Sequence, residues 1–331
     1  MGTPDFALPA LKKIIDSGHE LLFVITQPDK KVGRKQVLTP PPIKELALEH
    51  NVEVFQPEKL NKAEELIAKI KNSGVDLMIT CAYGQIIKQE ILDIAPIVNV
   101  HASLLPKYRG PAPINWTLIN GDREAGVTTM LTAKGVDTGD MLLKASIDLD
   151  DEIKAIKLSQ KLAELGGDLL LKTLNQYQDI KAEKQNDLDD VAQQYSPFMN
   201  KDLGEIDFAK EFLELKSANP KQDYFLNKKL SSAKNIHNLV RGLEPWPGAY
   251  FIYKDQKIIL LETSFDEKDT TKKPGELVEI NKGEKSFIIA THQGSLEVKL
   301  LKPQGKNAMP ALDWIHGQRL NIGDSLLACV S

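Results

Sequence analysis

Cysteine is nearly absent. The 331 residues carry only Cys81 and Cys329, far apart in sequence and with no metal-ligand or redox spacing around either, which sets aside a disulfide-built or zinc-built fold. Free thiols in a reducing compartment are the expected state. Long apolar runs are missing too: nothing approaches the ~20 residues a membrane-spanning helix needs. The first residues show no signal or transit pattern, so no membrane attachment and a cytoplasmic location are expected. No G-x-G-x-x-G follows a strand-like run, which argues against a dinucleotide-dependent oxidoreductase. Positive charge is not in excess either. A net charge of -4 argues against a chain coated in nucleic acid. The balance is uneven, however: residues 225–331 hold 15 Lys and Arg against 12 Asp and Glu, a net of +3, which leaves -7 for the first 224. A polyanionic partner is therefore permitted on one side only.

What is present is ample apolar material, 42% of residues against 27% charged, in a chain long enough for two cores. LLFVIT (21–26), VEVF (52–55), DLMITCAY (76–83) and IVNV (97–100) read as buried strands. Between them, PPIKELALEH and KAEELIAKIKNS repeat apolar residues every three or four positions, as helices packed on a sheet do. This alternation predicts an α/β domain with a doubly wound, mostly parallel sheet. GVTTMLTA and DMLLKASIDL read as an antiparallel pair before a long helix from about residue 153 to 174. The pattern then dissolves into Gln, Asp, Lys and Ala. After the amphipathic SAKNIHNLVRGL, five short alternating strands predict a small antiparallel, OB-like barrel. The expected division is a first domain over 1–178, a linker over 179–203 and a C-terminal domain over 204–331. One oddity concerns the start. MGTPDFALPALKKIIDSG reads as a strand-to-helix turn with no strand before it. The central first strand is expected to be missing, either lost from the fold or left upstream of a late-assigned start.

The segment NVHASLLPKYRGPAP places Asn99 and His101 two apart at the end of a buried strand. Side chains at i and i+2 share a face, so amide and imidazole converge on one point, at the strand end where open α/β sheets bind ligands. Reaction at a carbonyl needs donors aimed at the oxygen that becomes negative and a group that handles the proton of the attacking nucleophile. Asp137, in the Gly-flanked GVDTGD turn, is the candidate third group, to orient the imidazole or relay the proton.

These residues carry a resemblance. GTPDFA (2–7), QPDKKVGRKQ (27–36), NVHASLLPKYRGPAPI (99–114), GVTTM with GVDTGDM (126–141), AELG (163–166) and PWPGA (245–249) resemble the methionyl-tRNA formyltransferase family, in order and over nearly the whole chain. The resemblance implies a Rossmann-like formyltransferase domain followed by an OB-like tRNA-binding domain. It implies transfer of the formyl group of 10-formyltetrahydrofolate to the amino group of methionyl initiator tRNA, for translation initiation, without a metal or a covalent intermediate. Asn99, His101 and Asp137 match the family's catalytic Asn, His and Asp. The first two would hold an oxyanion; Asp137 would steady the imidazole and assist removal of the amine proton. Ser103, Leu104, Leu105 and Pro106 match the family's folate contact, with AYGQII (82–87) as the other wall of an apolar slot. In the basic loop DKKVGRKQ, Arg34, together with Lys35, matches the insertion that reaches the acceptor end of tRNA; Arg241 and the lysines of the C-terminal domain would add less specific attraction. A monomer is expected.

The sequence departs from the family pattern at three places. These are the absent first strand, Glu244 where Asn usually precedes PWPGA, and additional residues over 209–230, expected to form a surface loop. A folate-dependent sugar-nucleotide N-formyltransferase is the nearest alternative, because SLLPKYRGPAPINW suits that group equally. The QPD…GR loop and the PWPGA segment favour tRNA. A catalytically silent RNA-binding protein of the same architecture is opposed by the intact Asn99, His101 and Asp137.

Overall fold

The computed structural model describes residues 1–33, 35–185, 195–213 and 229–327. The helices are α1 (Leu8–Asp16), α2 (Pro42–Glu49), α3 (Glu64–Asn72), α4 (Gln89–Leu92), α5 (Pro113–Asn120), α6 (Ala155–Asn175), α7 (Ala233–Gly242) and α8 (Ala311–Gln318). The strands of the first half are β1 (Val24–Ile25), β2 (Lys30–Val32), β3 (Val37–Thr39), β4 (Val54–Phe55), β5 (Met78–Cys81), β6 (Ile97–His101), β7 (Glu124–Leu131) and β8 (Met141–Asp148). Those of the second half are β9 (Phe212–Leu213), β10 (Lys229–Leu230), β11 (Tyr250–Tyr253), β12 (Gln256–Asp266), β13 (Leu277–Asn281), β14 (Ser286–Ala290), β15 (Ser295–Pro303) and β16 (Met309–Pro310). They form two compact units that are not consecutive stretches. Residues 111–123 and 149–157 belong with 195–331, while 1–110, 124–148 and 158–194 make the other unit.

In the first unit β5 and β6 pair parallel, β7 and β8 extend that sheet antiparallel, and β1 and β4 form a separate parallel pair. Met1 and Gly2 stand between the two sheets. Gly2 bridges Cys81 in parallel, and its N–H donates to Ile25 O at 3.2 Å; Cys81 N–H donates to Met1 O at 3.0 Å. Two residues thus hold the place expected of the first strand. Beside them lies a cavity of about 390 Å³ lined by Leu11, Ile14, Leu21, Leu22, Phe23 and Ile70 among others. Of the expected strand 21–26, only Val24 and Ile25 are regular, paired to β4, while Leu21, Leu22 and Phe23 line this cavity. Met1 N donates to Ile79 O at 2.6 Å, and burial pushes the Cys81 thiol up to about 12. α3 puts Glu64 and Glu65 in its first turn and Lys69 and Lys71 in its last, complementing the helix dipole. Its Leu66, Ile67 and Ile70 join Leu60, Met78, Ile91 and Ile97 in the core. In α6, Gly166 and Gly167 allow close approach, since a Cβ at either would stand 3.0 Å from Val100 Cγ1 or from the Pro9 carbonyl carbon.

In the second unit the antiparallel sheet runs β11-β12-β15-β14-β13, with β16 against β15. Among the described residues β11 and β13 do not pair, so the sheet is open where a closed barrel was expected. Both outer edges already have partners. Glu205 bridges Tyr250 and Ile206 N–H donates to Tyr250 O at 2.7 Å; at the other edge Glu276 bridges Ser325 and Leu277 N–H donates to Asp324 O at 2.9 Å. Satisfied edges need no closure. Trp314 of α8 fills the concave side against Phe251, Tyr253 and Phe287, with ring centroids 5.3–6.1 Å apart. α7 starts on Ser232, whose Oγ accepts from Asn235 N–H at 3.2 Å. It crosses α5 at Gly242, where a Cβ would lie 2.7 Å from Ile119 Cγ1. Within the additional run 209–230, β9 and β10 pair antiparallel; residues 214–228 lie outside the described residues.

Candidate active site

β6 is paired on both sides, parallel to β5 and antiparallel to β7, so its residues are fixed in register with both neighbours. Asn99 stands opposite Thr80, and His101 opposite Thr128. The Thr80 hydroxyl donates to Asn99 Oδ1 at 2.8 Å. An amide that accepts through oxygen presents its NH2 elsewhere, and Asn99 Nδ2 has no protein acceptor among the described residues.

His101 is buried, 6% exposed. Its Nε2 lies 2.9 Å from Tyr108 O, and since a carbonyl only accepts, that pairing puts a proton on Nε2. Nδ1 faces Asp137 Oδ2 at 3.6 Å, an approach longer than a hydrogen bond. The same carboxylate oxygen accepts from Gly110 N–H at 2.9 Å. Two strained turns set this geometry: Tyr108 and Asp137 adopt φ of 62° and 52°, in the left-handed region that residues with a Cβ avoid. Gly139 is required, for a Cβ there would lie 1.7 Å from Leu131 O. Asn99, His101 and Asp137 therefore gather at the C-terminal end of β6 from three chain segments.

Four partners escape sequence reasoning. Thr80 and Thr128 are polar residues inside apolar runs, a signal that was available. Thr128 Oγ1 donates to Ser103 O at 2.7 Å and accepts from Leu105 N–H at 3.0 Å, which cinches the segment after β6. Tyr108 contributes through its backbone, and Gln185 comes from a polar run that gives no signal at all. Gln185 donates to the carbonyls of Asp137 and Gly139 and accepts from Arg109 Nε.

Of the residues expected to contact folate, Ser103 and Leu105 are 2% and 1% exposed. The Ser103 hydroxyl is used internally, donating to Lys107 O at 2.6 Å, and Leu105 packs on Met130 and Met141. Leu104 and Pro106 are half-buried. In 82–87, Tyr83 is buried with no partner for its hydroxyl, whose pKa burial pushes up to about 12, while Ile86 is 79% exposed.

The basic loop is a hairpin, β2 against β3. Asp29 at its base is neutralised by Lys44 and accepts from Gln56, and its carboxyl is held below the usual range by those bonds. Lys31 and Lys35 remain exposed beside Val32, Val37 and Leu38; Arg34 lies outside the described residues. Arg241, expected among the attractive surface charges, is instead 2% exposed. Its guanidinium donates to Asn238 Oδ1 and to the carbonyls of Asp150 and Ile153. A buried guanidinium is tolerated because those acceptors satisfy its N–H groups. Among the described residues no group of three His, Cys, Asp or Glu is placed to hold a metal, and no helix is long and apolar enough to cross a membrane.

Comparison with known proteins gives concordant findings. Residues 1–174 match the family described as formyl transferase, and 220–319 match the formyl transferase C-terminal domain. Methionyl-tRNA formyltransferases of Acetivibrio thermocellus and Clostridioides difficile are each 40% identical, over 98% of this chain and 98% and 97% of theirs. That of Geobacter metallireducens is 40% identical over 98% of this chain and 96% of its own. Among solved structures the fold is shared with WlaRD, a sugar 3N-formyl transferase, at a TM-score of 0.62 and 18% identity over 92% of this chain and 97% of WlaRD. It is also shared with HypX from Aquifex aeolicus in complex with tetrahydrofolic acid, at 0.54 and 17% over 91% of this chain and 48% of HypX.

Proposed function

This chain belongs to the methionyl-tRNA formyltransferase family and is a formyl-transferring enzyme; from that premise we propose that its formyl donor is 10-formyltetrahydrofolate and its acceptor the amino group of methionyl initiator tRNA. Translation initiation in the cytoplasm is then its setting, and it acts as a monomer. The unit that holds Asn99, His101 and Asp137 carries the chemistry, and the C-terminal part over 204–331 binds tRNA; the stretch expected as a linker over 179–203 divides between the two units, 179–194 with the first and 195–203 with the second. The observation that carries the reading is the Asn99 amide, fixed through its oxygen by Thr80 and left with an unassigned donor beside His101 and Asp137.

In this reading Asn99 Nδ2 donates to the formyl oxygen as it becomes negative. His101 supplies the second donor by exchanging the Tyr108 carbonyl for the substrate oxygen, a movement within reach because apo hydrogen bonds at such sites re-form around substrate. Asp137 keeps the imidazole oriented and, through a water, takes the proton that the attacking amine must lose, which then goes to the folate nitrogen as the tetrahedral adduct collapses and the formyl C–N bond breaks. Ser103–Pro106 form one side of the folate slot, Leu104 and Pro106 through side chains and Ser103 and Leu105 through backbone. Folate supplies the formyl group and a leaving nitrogen. Arg34, Lys31 and Lys35 meet tRNA phosphates.

The test is formyl transfer from 10-formyltetrahydrofolate to methionyl initiator tRNA. His101→Ala is expected to lower kcat about 100- to 1,000-fold with folding retained, the usual cost of an oxyanion donor. Near-normal turnover by that variant sinks the assignment. Silence of the intact protein with tRNA, together with transfer to an amino-sugar nucleotide, moves the acceptor to the sugar class.

A further inference from the structure

Gln185 lies in a stretch rich in Lys, Gln and Asp, the composition of an exposed linker, yet it is 9% exposed and every polar atom of its side chain is engaged. Its Nε2 donates to Asp137 O at 2.9 Å and to Gly139 O at 2.7 Å. Its Oε1 accepts from Arg109 Nε at 2.8 Å. Two residues earlier, Glu183 exchanges both backbone hydrogen bonds with Met141, each 2.8 Å long, which fixes where this strap crosses the site.

The two loops so joined are the ones that set the catalytic geometry. Loop 135–140 carries Asp137 in its left-handed conformation. Loop 107–110 supplies Tyr108 O to His101 Nε2 and Gly110 N–H to the Asp137 carboxylate. A left-handed Asp is held only while its surroundings over-determine it. The carboxylate end is restrained by Gly110; the backbone end is restrained by Gln185. Without the amide, the Asp137 and Gly139 carbonyls lose their donor together, leaving the loop held by Gly110 N–H on the Asp137 carboxylate and by Leu131 N–H on Asp140 O at 2.8 Å, with no bond on the Asp137 backbone itself among those described.

We propose that Gln185 is a positioning residue for formyl transfer, bridging loops 107–110 and 135–140 so that Asp137 stays aligned on His101. The proposal rests on the reading of Asp137 and His101 given above. Gln185 has no hydrogen bond to Asn99 or His101; it acts through the two loops it joins, on Asp137 from the backbone side.

The experiment is a double-mutant cycle of Gln185→Met with Asp137→Asn, read as kcat and KM for both substrates on the full-length protein. Gln185→Met is expected to lower kcat about 10- to 100-fold, the usual effect of a small misplacement of a catalytic group, with both KM values within about twofold. In the Asp137→Asn background the same change is expected to cost less than about twofold, because its target is already lost. Gln185→Glu, which has nearly the same shape and keeps the acceptor for Arg109 but loses both donors, is expected to share the defect; it also takes the place of Gln185→Met in the cycle if that variant does not fold. Wild-type kcat in Gln185→Met, or an equal loss in both backgrounds, overturns the proposal while leaving the site reading intact. Full activity of Asp137→Asn alone overturns the site reading, and the proposal falls with it.

Discussion

Thr80 has one hydroxyl proton, and giving it to Asn99 Oδ1 decides which end of the amide remains for a ligand. Thr80→Val keeps the shape of the strand and removes that proton, so the amide loses its preferred orientation; a neutral hydrogen bond is worth about 1 kcal/mol, and kcat is expected to fall roughly fivefold to tenfold. Thr80→Ser restores it. Steady-state kinetics on the two variants check the pair, and equal rates for Val and Ser remove the role. Asn99 and His101 are legible in the sequence because a two-residue spacing on a strand fixes a common face. Asp137 is legible only through its flanking glycines, and Gln185 is not legible at all, since a glutamine in a polar run has the signature of solvent exposure. Tyr108 acts through a carbonyl, which every residue type carries. The charge of Arg241 reads as a surface feature because sequence reports the charge and is silent on the carbonyls that satisfy it in the interior.

Among the elements, α7 shows how such a buried group works. The segment 150–153 has three carbonyl bonds to it: Asp150 O and Ile153 O accept from Arg241, and Asp151 O accepts from His237 Nε2 at 2.7 Å. Arg241→Ala strands two of these acceptors and is expected to destabilise the fold by about 3 kcal/mol, measured as a shift of the denaturant midpoint at constant slope. His237 carries a pH dependence. Burial pushes its pKa below the ordinary 6.5, so the folded state prefers the neutral ring and the unfolded chain takes the proton first. The contribution is complete above pH 6.5 and is lost as pH falls from there through the lower folded value. Denaturation midpoints are expected to fall over that window, and His237→Gln to flatten the fall. The helical and parallel-strand periodicities gave these elements correctly in kind. The hairpin β2–β3 escaped because three-residue strands show no period, and the open sheet escaped because its edges are covered by segments without strand character.

At the scale of the whole molecule, the basic hairpin β2–β3 has a measurable counterpart in tRNA affinity. If Lys31 and Lys35 meet phosphates, Lys31→Gln and Lys35→Gln should each lower the slope of log affinity for tRNA against log salt by about one, with folate affinity unchanged. Unaltered slopes reject the contact. The sequence pattern spoke for an α/β part followed by a β part, and both are present; what it could not convey is that the chain moves back and forth between the two units, because periodicity describes an element's own face and not its partner. That interleaving sets the order in which the protein can be made. Trp116, Leu118 and Ile119 of α5 are buried in the second unit, with Trp116 Nε1 donating to Pro197 O and α7 packed alongside. Translation at about 5–20 residues per second brings α5 out on the order of ten seconds before α7. During that interval the apolar face of α5 waits uncovered on the ribosome, and a chain cut between α5 and α7 would leave it uncovered for good.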